Sequence, residues 1–233
     1  MEELTKIEQD KPINRKLFFF IRETPGYYEN ITDQIVIREI FDENVYQLTT
    51  KDVCDGIVLD IGANVGIFSI YASLLGAKKV IAYEPEEDNG IILKKNVEAN
   101  NLTNIELRPF AVSSKEETFE IYKSQGATKR IDYAPGVDWP KQTVKAQNIN
   151  KILGELKEVA VMKLDCEGAE YDILAGATSE NLKKCAYIVV EFHNFPNTTA
   201  EIYGAMMAKL SLTHNVHVFG QFDQGGQLYA RRY

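Results

Sequence analysis

Cysteine is scarce in this chain: three residues (Cys54, Cys166 and Cys185) lie far apart, with no CxxC pair among them. That spacing excludes an even disulfide framework and fits a reducing compartment. Basic residues are also in deficit. Lys and Arg total 26 against 34 Asp and Glu, a net charge of -8, with a sequence pI near 5.1. No domain-wide positive excess is available to neutralise phosphates, so stable nucleic-acid binding is not expected, although transient contact with RNA is not excluded. Long apolar runs are missing as well. The run LFFFI (17–21) is far too short for a membrane span or a signal-peptide core. Without an export signal, the sequons at Asn30, Asn101 and Asn197 read as chance, and the expected location is cytoplasmic. No internal repeat or low-complexity tract is visible. What remains is a balanced composition, 45% hydrophobic and 26% charged over 233 residues, enough for one α/β domain with a sizeable core.

From residue 57 onward, short apolar runs alternate with longer helical patterns, the signature of a parallel sheet wrapped by helices. IVLDI (57–61), KVIAYE (79–84), IELRPFAV (105–112), VAVMKLD (159–165) and YIVVEFH (187–193) read as strands. Pro109 marks an irregular or edge position in the third of them. Segments 66–76, 88–100, 167–176 and 200–210 read as helices, TFEIY (118–122) as an extra strand, and HVFG (217–220) with QLYARR (227–232) as a closing hairpin. Before residue 57, LFFFIRE (17–23) and QIVIREIF (34–41) read as strands of a β-rich cap, expected to occupy residues 1–50, with the main domain over 51–233. Residues 123–142 hold two prolines, two glycines and Trp139, and read as a loop or lid. Tyr27, Tyr28, Tyr133 and Trp139, in the cap and this loop, read mostly as packing residues.

The strongest local signal is VLDIGANVG (58–66), a strand that runs through Asp60, Gly62 and Gly66 straight into a helix. Such a turn lies at the carboxyl edge of the sheet, where open α/β folds bind ligands. Twenty-four residues after Asp60 the second strand ends at Glu84, placed to accept hydrogen bonds from a ribose diol. A dinucleotide pyrophosphate wants a third glycine at a helix N-terminus, which this loop lacks. An acidic loop with two glycines suits a cofactor that carries a cationic sulfonium and an amino group.

VLDIGANVGIFSIYAS (58–73) is similar to the first motif of Rossmann-like S-adenosylmethionine-dependent methyltransferases. VMKLDCEGAEYDILAGA (161–177), IVVEFHN (188–194) and REIFDENVY (38–46) resemble the FkbM family within that class. The resemblance spans most of residues 35–195. It implies a mostly parallel seven-stranded sheet with helices on both faces and a reversed last strand. It also implies S-adenosylmethionine as cofactor, S-adenosylhomocysteine as product, and methyl transfer to a hydroxyl of a sugar, glycan or small natural product. By position, Asp60, Gly62, Asn64 and Gly66 would line the methionine portion, Glu84 the ribose, and Ala111 and Val112 the adenine. Nothing about the acceptor or the oligomeric state follows.

Asp165 closes the fourth strand, where it could contact cofactor and acceptor, or instead cap the following helix. Glu167 sits just inside that helix and suits its dipole, while Glu170 reads as solvated or paired on the helix. Glu191 and His193 are two apart on a strand and so share a face at its carboxyl end. The catalytic assignment is therefore His193, Asp165 and Glu191, with His193 or Asp165 as the base that takes the acceptor proton. A divalent metal held by Asp165, Glu191 and His193 is the second reading, and no metal ligand is assigned. Two other classes stay open. One is methylation of RNA or protein, against which stand the negative charge and LDCEG in place of an Asn-Pro-Pro-Tyr type loop. The other is a non-catalytic domain of the same fold.

Overall fold

The computed structural model describes residues 16–22, 33–123, 140–193, 198–221 and 224–233, and the backbone of residues 4–9. The chain opens with β1 (Leu4–Gln9), β2 (Leu17–Arg22), α1 (Asp33–Phe41) and α2 (Thr50–Val53). It continues through β3 (Ile57–Ile61), α3 (Ile67–Leu74), β4 (Lys79–Tyr83), α4 (Glu87–Ala99), β5 (Ile105–Arg108), β6 (Ala111–Ser113), β7 (Glu117–Tyr122) and β8 (Lys141–Asn148). It ends with α5 (Ile149–Gly154), β9 (Val159–Leu164), α6 (Glu170–Gly176), α7 (Ser179–Leu182), β10 (Cys185–Phe192), α8 (Ala200–Ser211), β11 (His214–Gln221) and β12 (Gly225–Arg232).

Seven strands form the central sheet in the order β11-β12-β10-β9-β3-β4-β5. The last strand, β12, runs antiparallel to both of its neighbours, and the remaining pairs are parallel. This is the expected mostly parallel sheet with a reversed last strand. Both faces are buried, which is why the central strands read as continuous apolar runs. Leu59, Ile61, Met162, Leu164, Ile188 and Val190 pack on one face with α5, α6 and α8. Val58, Val80, Val161 and Val189 pack on the other with β2, α1 and α3. Asp60 and Lys163 are paired in register between β3 and β9, so a carboxylate and an ammonium meet within an otherwise apolar layer.

Three local expectations are corrected. Residues 34–41 form most of helix α1, not a strand. Its buried side chains, Asp33, Ile37, Ile40 and Phe41, fall on one helical face, and Phe41 packs edge-on against Phe19 and Tyr71. Tertiary packing overrides the β preference of the Ile-Val-Ile run. IELRPFAV is two strands. Chain pairing in the main sheet stops before Pro109, and β6 joins a separate three-stranded sheet of order β6-β8-β7. Residues 141 and 142, read as the end of the loop, begin β8 (Lys141–Asn148) of that small sheet. Residues 124–139 of the expected lid, with Tyr133 and Trp139, lie outside the described residues, as do Tyr27 and Tyr28.

Strand β2 lies along α4. The side-chain oxygens of Asn100 and Asn96 accept the N–H groups of Phe18 (2.9 Å) and Phe20 (2.6 Å). Their amide nitrogens return hydrogen bonds to the carbonyls of the same two residues, at 2.8 and 3.2 Å. Leu17, Phe19 and Ile21 point the other way, into the core beside the central sheet. The three cysteines form no disulfide, and no helix among the described residues is long and apolar enough to cross a membrane.

Candidate functional site

A cavity of about 480 Å³ opens at the carboxyl ends of β3, β4, β9 and β10, with further walls from α1 and the small sheet. Strand β3 divides its floor: β4 lies on one side, β9 and β10 on the other.

On the β4 side stands Glu84, 6% exposed. Its Oε2 accepts the backbone N–H of Asn64 (2.7 Å), and its Oε1 accepts those of Glu86 (3.0 Å) and the Asn89 side chain (3.2 Å). Asn64 adopts a left-handed backbone (φ 50°), which turns its N–H towards Glu84. Gly62, Asn64, Ala111 and Val112 line the cavity with Glu84. Asp60 and Gly66 do not belong to that lining. Asp60 is fully buried beneath it, where Oδ2 accepts the Ser69 hydroxyl (2.6 Å) and Oδ1 lies 3.3 Å from Lys163 Nζ.

The two glycines answer to packing. A Cβ at Gly62 would stand 2.0 Å from the Asp165 carbonyl oxygen, and one at Gly66 would stand 2.7 Å from the Leu93 side chain. Both also hold positive φ, at 79° and 88°, where a side chain is strained. The turn after β9 and helix α4 therefore require these glycines before any ligand does.

Across β3 the structure brings Asp165, Glu191 and His193 together, with two groups that sequence reasoning missed. Tyr46, buried at 5% exposure, places its hydroxyl 2.9 Å from Asp165 Oδ2 and 3.1 Å from Glu191 Oε2. Lys163 donates to the Gly62 carbonyl (2.8 Å) and lies 3.4 Å from Asp165. His193 Nε2 is 3.9 Å from Glu191 and 3.8 Å from Glu167, and its Nδ1 is 3.8 Å from Glu170. Helix α6 begins later than expected, so Asp165 is not its cap. Glu167 precedes the helix with a positive φ of 53°. Glu170 is not solvated: it is fully buried and accepts the N–H groups of Cys166 (2.5 Å) and Gly168 (2.8 Å), which shapes the loop after β9.

The charges interlock. Burial pushes the Glu191 carboxyl up, the Asp165 charge adds to this, and His193, Lys163 and Tyr46 pull back only in part, leaving it at about 7. Burial works against the charged form of His193 but is outweighed by the nearby carboxylates of Glu170, Glu167 and Asp165, which raise it to about 10. Asp165 is held below the usual carboxylate range: burial opposes ionisation, and Lys163, His193 and the Tyr46 hydroxyl overcome it. Lys163 is held above its ordinary value despite burial, by Asp60 and Asp165. The surroundings therefore favour the cationic imidazole and make Glu191 far easier to protonate than an ordinary carboxylate.

Asp165, Glu170 and His193, not the triad with Glu191, bring donor atoms within 4.8 Å of one another. Glu170 already serves two backbone N–H groups and the Lys163 ammonium sits beside Asp165, a donor set that does not fit a resident metal ion. Cys166 also lines the cavity, but burial and the Glu170 and Asp165 charges raise its thiol well above the ordinary range, away from a nucleophilic thiolate. Glu39 of α1 lines the cavity too, and its backbone carbonyl accepts the Val45 N–H (3.0 Å). Burial, the charge of Glu43 and, more weakly, that of Asp165 raise its carboxyl, while Arg38 lowers it.

A sequence model of the methyltransferase FkbM domain matches residues 60–216. AMB antimetabolite synthetase AmbE of Pseudomonas aeruginosa is 26% identical over 69% of this chain, which spans only 10% of that protein. Hexuronic acid methyltransferase AglP of Haloferax volcanii is 28% identical, covering 74% of each. Ribosomal protein L11 methyltransferase of Psychrobacter sp. is 31% identical over 58% of this chain and 39% of its own length. Among solved structures, methyltransferase FkbM from Methylobacillus flagellatus superposes with a TM-score of 0.51 at 14% identity, covering 77% of this chain and 44% of that one.

Proposed function

Because the chain belongs to the methyltransferase FkbM family, we propose that its cavity binds S-adenosylmethionine and serves methyl transfer to a hydroxyl oxygen of a sugar, glycan or small natural product. The observation that supports this reading is the division of one cavity by β3. A carboxylate fixed by three N–H donors stands on one side, and a proton-handling cluster stands on the other. The donor set fits the cofactor: Glu84 would hold the ribose diol, Gly62 and Asn64 the methionine portion, and Ala111 and Val112 the adenine. S-adenosylmethionine, when bound, supplies a methyl group activated by a sulfonium.

The chain's own residues then hold the acceptor, keep out water and take up its proton. Fixing the acceptor oxygen at the right distance and angle contributes up to roughly 7–11 kcal/mol in favourable systems. Of the three catalytic candidates, Glu191 fits the base best, because a group near 7 can both accept and release a proton at neutral pH. His193, as imidazolium, cannot accept one; it helps Lys163 keep Asp165 ionised and draws Glu191 down only in part. Asp165 remains ionised between Lys163 and Tyr46 and can orient the acceptor hydroxyl.

The lining also bears on the acceptor. Seven carboxylates (Asp33, Glu39, Glu84, Glu86, Asp165, Glu167 and Glu191) face the cavity with two cationic side chains, Lys163 and His193. That balance favours a neutral or cationic acceptor over a uronic acid or an RNA phosphate backbone. Calorimetric titration tests the cofactor: S-adenosylhomocysteine should bind and NAD should not, and tighter NAD binding would overturn the reading. A turnover assay with panels of neutral, amino and uronic sugars tests the acceptor. Methylation confined to a protein or RNA would place the chain in the other class.

A further inference from the structure

We propose that Arg22, 38 residues before the stretch matched to the family, is a positioning residue for cofactor binding. This rests on the assignment of Glu84 to the ribose. Two of the groups that hold the Glu84 carboxylate, the Asn64 backbone and the Asn89 amide, belong to residues that are themselves held. The Arg22 guanidinium donates from Nη2 to Asn64 Oδ1 (3.0 Å) and from Nη1 to Asn89 Oδ1 (2.7 Å). It is charge-paired with Asp33, through Nε to Oδ2 (3.0 Å) and Nη2 to Oδ1 (2.5 Å), and the Arg22 backbone N–H also reaches Oδ2 (2.8 Å). One planar cation thus spends four of its five N–H donors on three partners: the first residue of α1, the glycine loop and the start of α4.

A structural tie alone does not account for a charge here. Strand β2 is already anchored by the buried side chains of Leu17, Phe19 and Ile21 and by the Asn96 and Asn100 amides. Arg22 and Asp33 are 3% and 1% exposed, and burying such a pair rarely adds stability over apolar residues of the same volume. Arg22 sits where the alternating series Phe18, Phe20, Arg22 meets α4. At the third position the side chain hydrogen-bonds Asn64 and Asn89 of the cavity wall. Asp33, Asn64, Glu84 and Asn89 all line that wall. The guanidinium fixes the left-handed turn at Asn64 and the rotamer of Asn89, and both set the direction of the Glu84 oxygens. An apparatus for binding a diol is thereby built through a residue that the diol never touches.

The test measures S-adenosylhomocysteine affinity by calorimetry in the full chain, for the wild type, Arg22→Lys, Arg22→Met and each combined with Glu84→Gln. Arg22→Lys keeps a cation beside Asp33 and so keeps the fold. Its compact ammonium cannot serve Asn64, Asn89 and Asp33 together, and the dissociation constant should rise about tenfold. Arg22→Met should weaken binding at least as much where it folds, judged by circular dichroism. In the Glu84→Gln background the Arg22→Lys change should cost less than threefold, because the group it positions has already been altered. That loss of effect is what a merely structural role would not produce. Unchanged affinity in Arg22→Lys, or a full tenfold effect in both backgrounds, would overturn the proposal while leaving the cofactor reading intact. A wild type that does not bind S-adenosylhomocysteine would overturn both.

Discussion

The two sides of the cavity floor hold their carboxylates in opposite ways. On the β4 side, Glu84 is met by N–H dipoles at 2.7, 3.0 and 3.2 Å, donors whose charge does not vary with pH. On the β9–β10 side, Asp165 and Glu191 are met by Lys163, the Tyr46 hydroxyl and His193, groups that carry or share protons. Fixed dipoles give a binding surface that stays constant. Mutually dependent charges give one whose proton content moves. The first suits a cofactor that must be held identically each time, and the second suits a step in which a proton changes owner.

The comparison breaks most visibly at Glu191. Glu191→Gln should lower kcat by about 100-fold or more while leaving S-adenosylhomocysteine affinity close to the wild type, because it removes a proton acceptor and keeps the shape. Equal losses in affinity and turnover would show that the two sides are not separate. Glu84→Ala should do the reverse, weakening cofactor binding about tenfold or more through the loss of charge-assisted hydrogen bonds. An unchanged dissociation constant would remove Glu84 from the ribose. Glu39→Ala should raise the acceptor KM about fivefold at constant kcat, the worth of one hydrogen bond on the acceptor side. A change in cofactor affinity instead would move Glu39 to the other side of the comparison.

The smallest effect is a displacement along the pH axis. Protonated Glu191 cannot accept a proton, so kcat/KM should rise with pH through about 7 and level off above it. His193 is a cation over this range and favours the ionised form of Glu191. Replacing it with Gln removes that help, and the midpoint of the rise should move upward. A pH–rate profile of His193→Gln checks this; a midpoint that stays put or moves down would show that the imidazolium does not act on Glu191.

The positions of Glu84, Asp165, Glu191 and His193 are legible in the sequence because parallel strands end where their apolar runs end, and ligands bind at those ends. Their protonation is not. His193 reads as a candidate base from its type alone, whereas the carboxylates that make it a cation come from the loop and helix after a different strand. Lys163 left a usable signal: a lysine inside the apolar run VAVMKL demands a buried partner, and Asp60 was available. Tyr46 left little, since its partners Asp165 and Glu191 are 119 and 145 residues away. The α1 segment reads as a strand for a related reason. A nine-residue segment holding four β-branched residues is decided by what packs on it, here Phe19 and Tyr71, and not by its own preference. Pro109 was legible as an interruption, but not as the point where the chain passes from one sheet to another.

The asparagine pair of α4 has a meaning for solubility as well as for architecture. One side of β2 is satisfied by β1, and the other would be a bare strand edge flanked by three phenylalanines, open to pairing with a second molecule. Asn96 and Asn100 present amides that imitate the donor and acceptor of a neighbouring strand, at Phe20 and Phe18. They end the sheet without extending it. A helix thereby does the capping that many proteins leave to a charged or proline-bearing edge, and an aromatic strand can sit close to the binding cavity without becoming a template for aggregation.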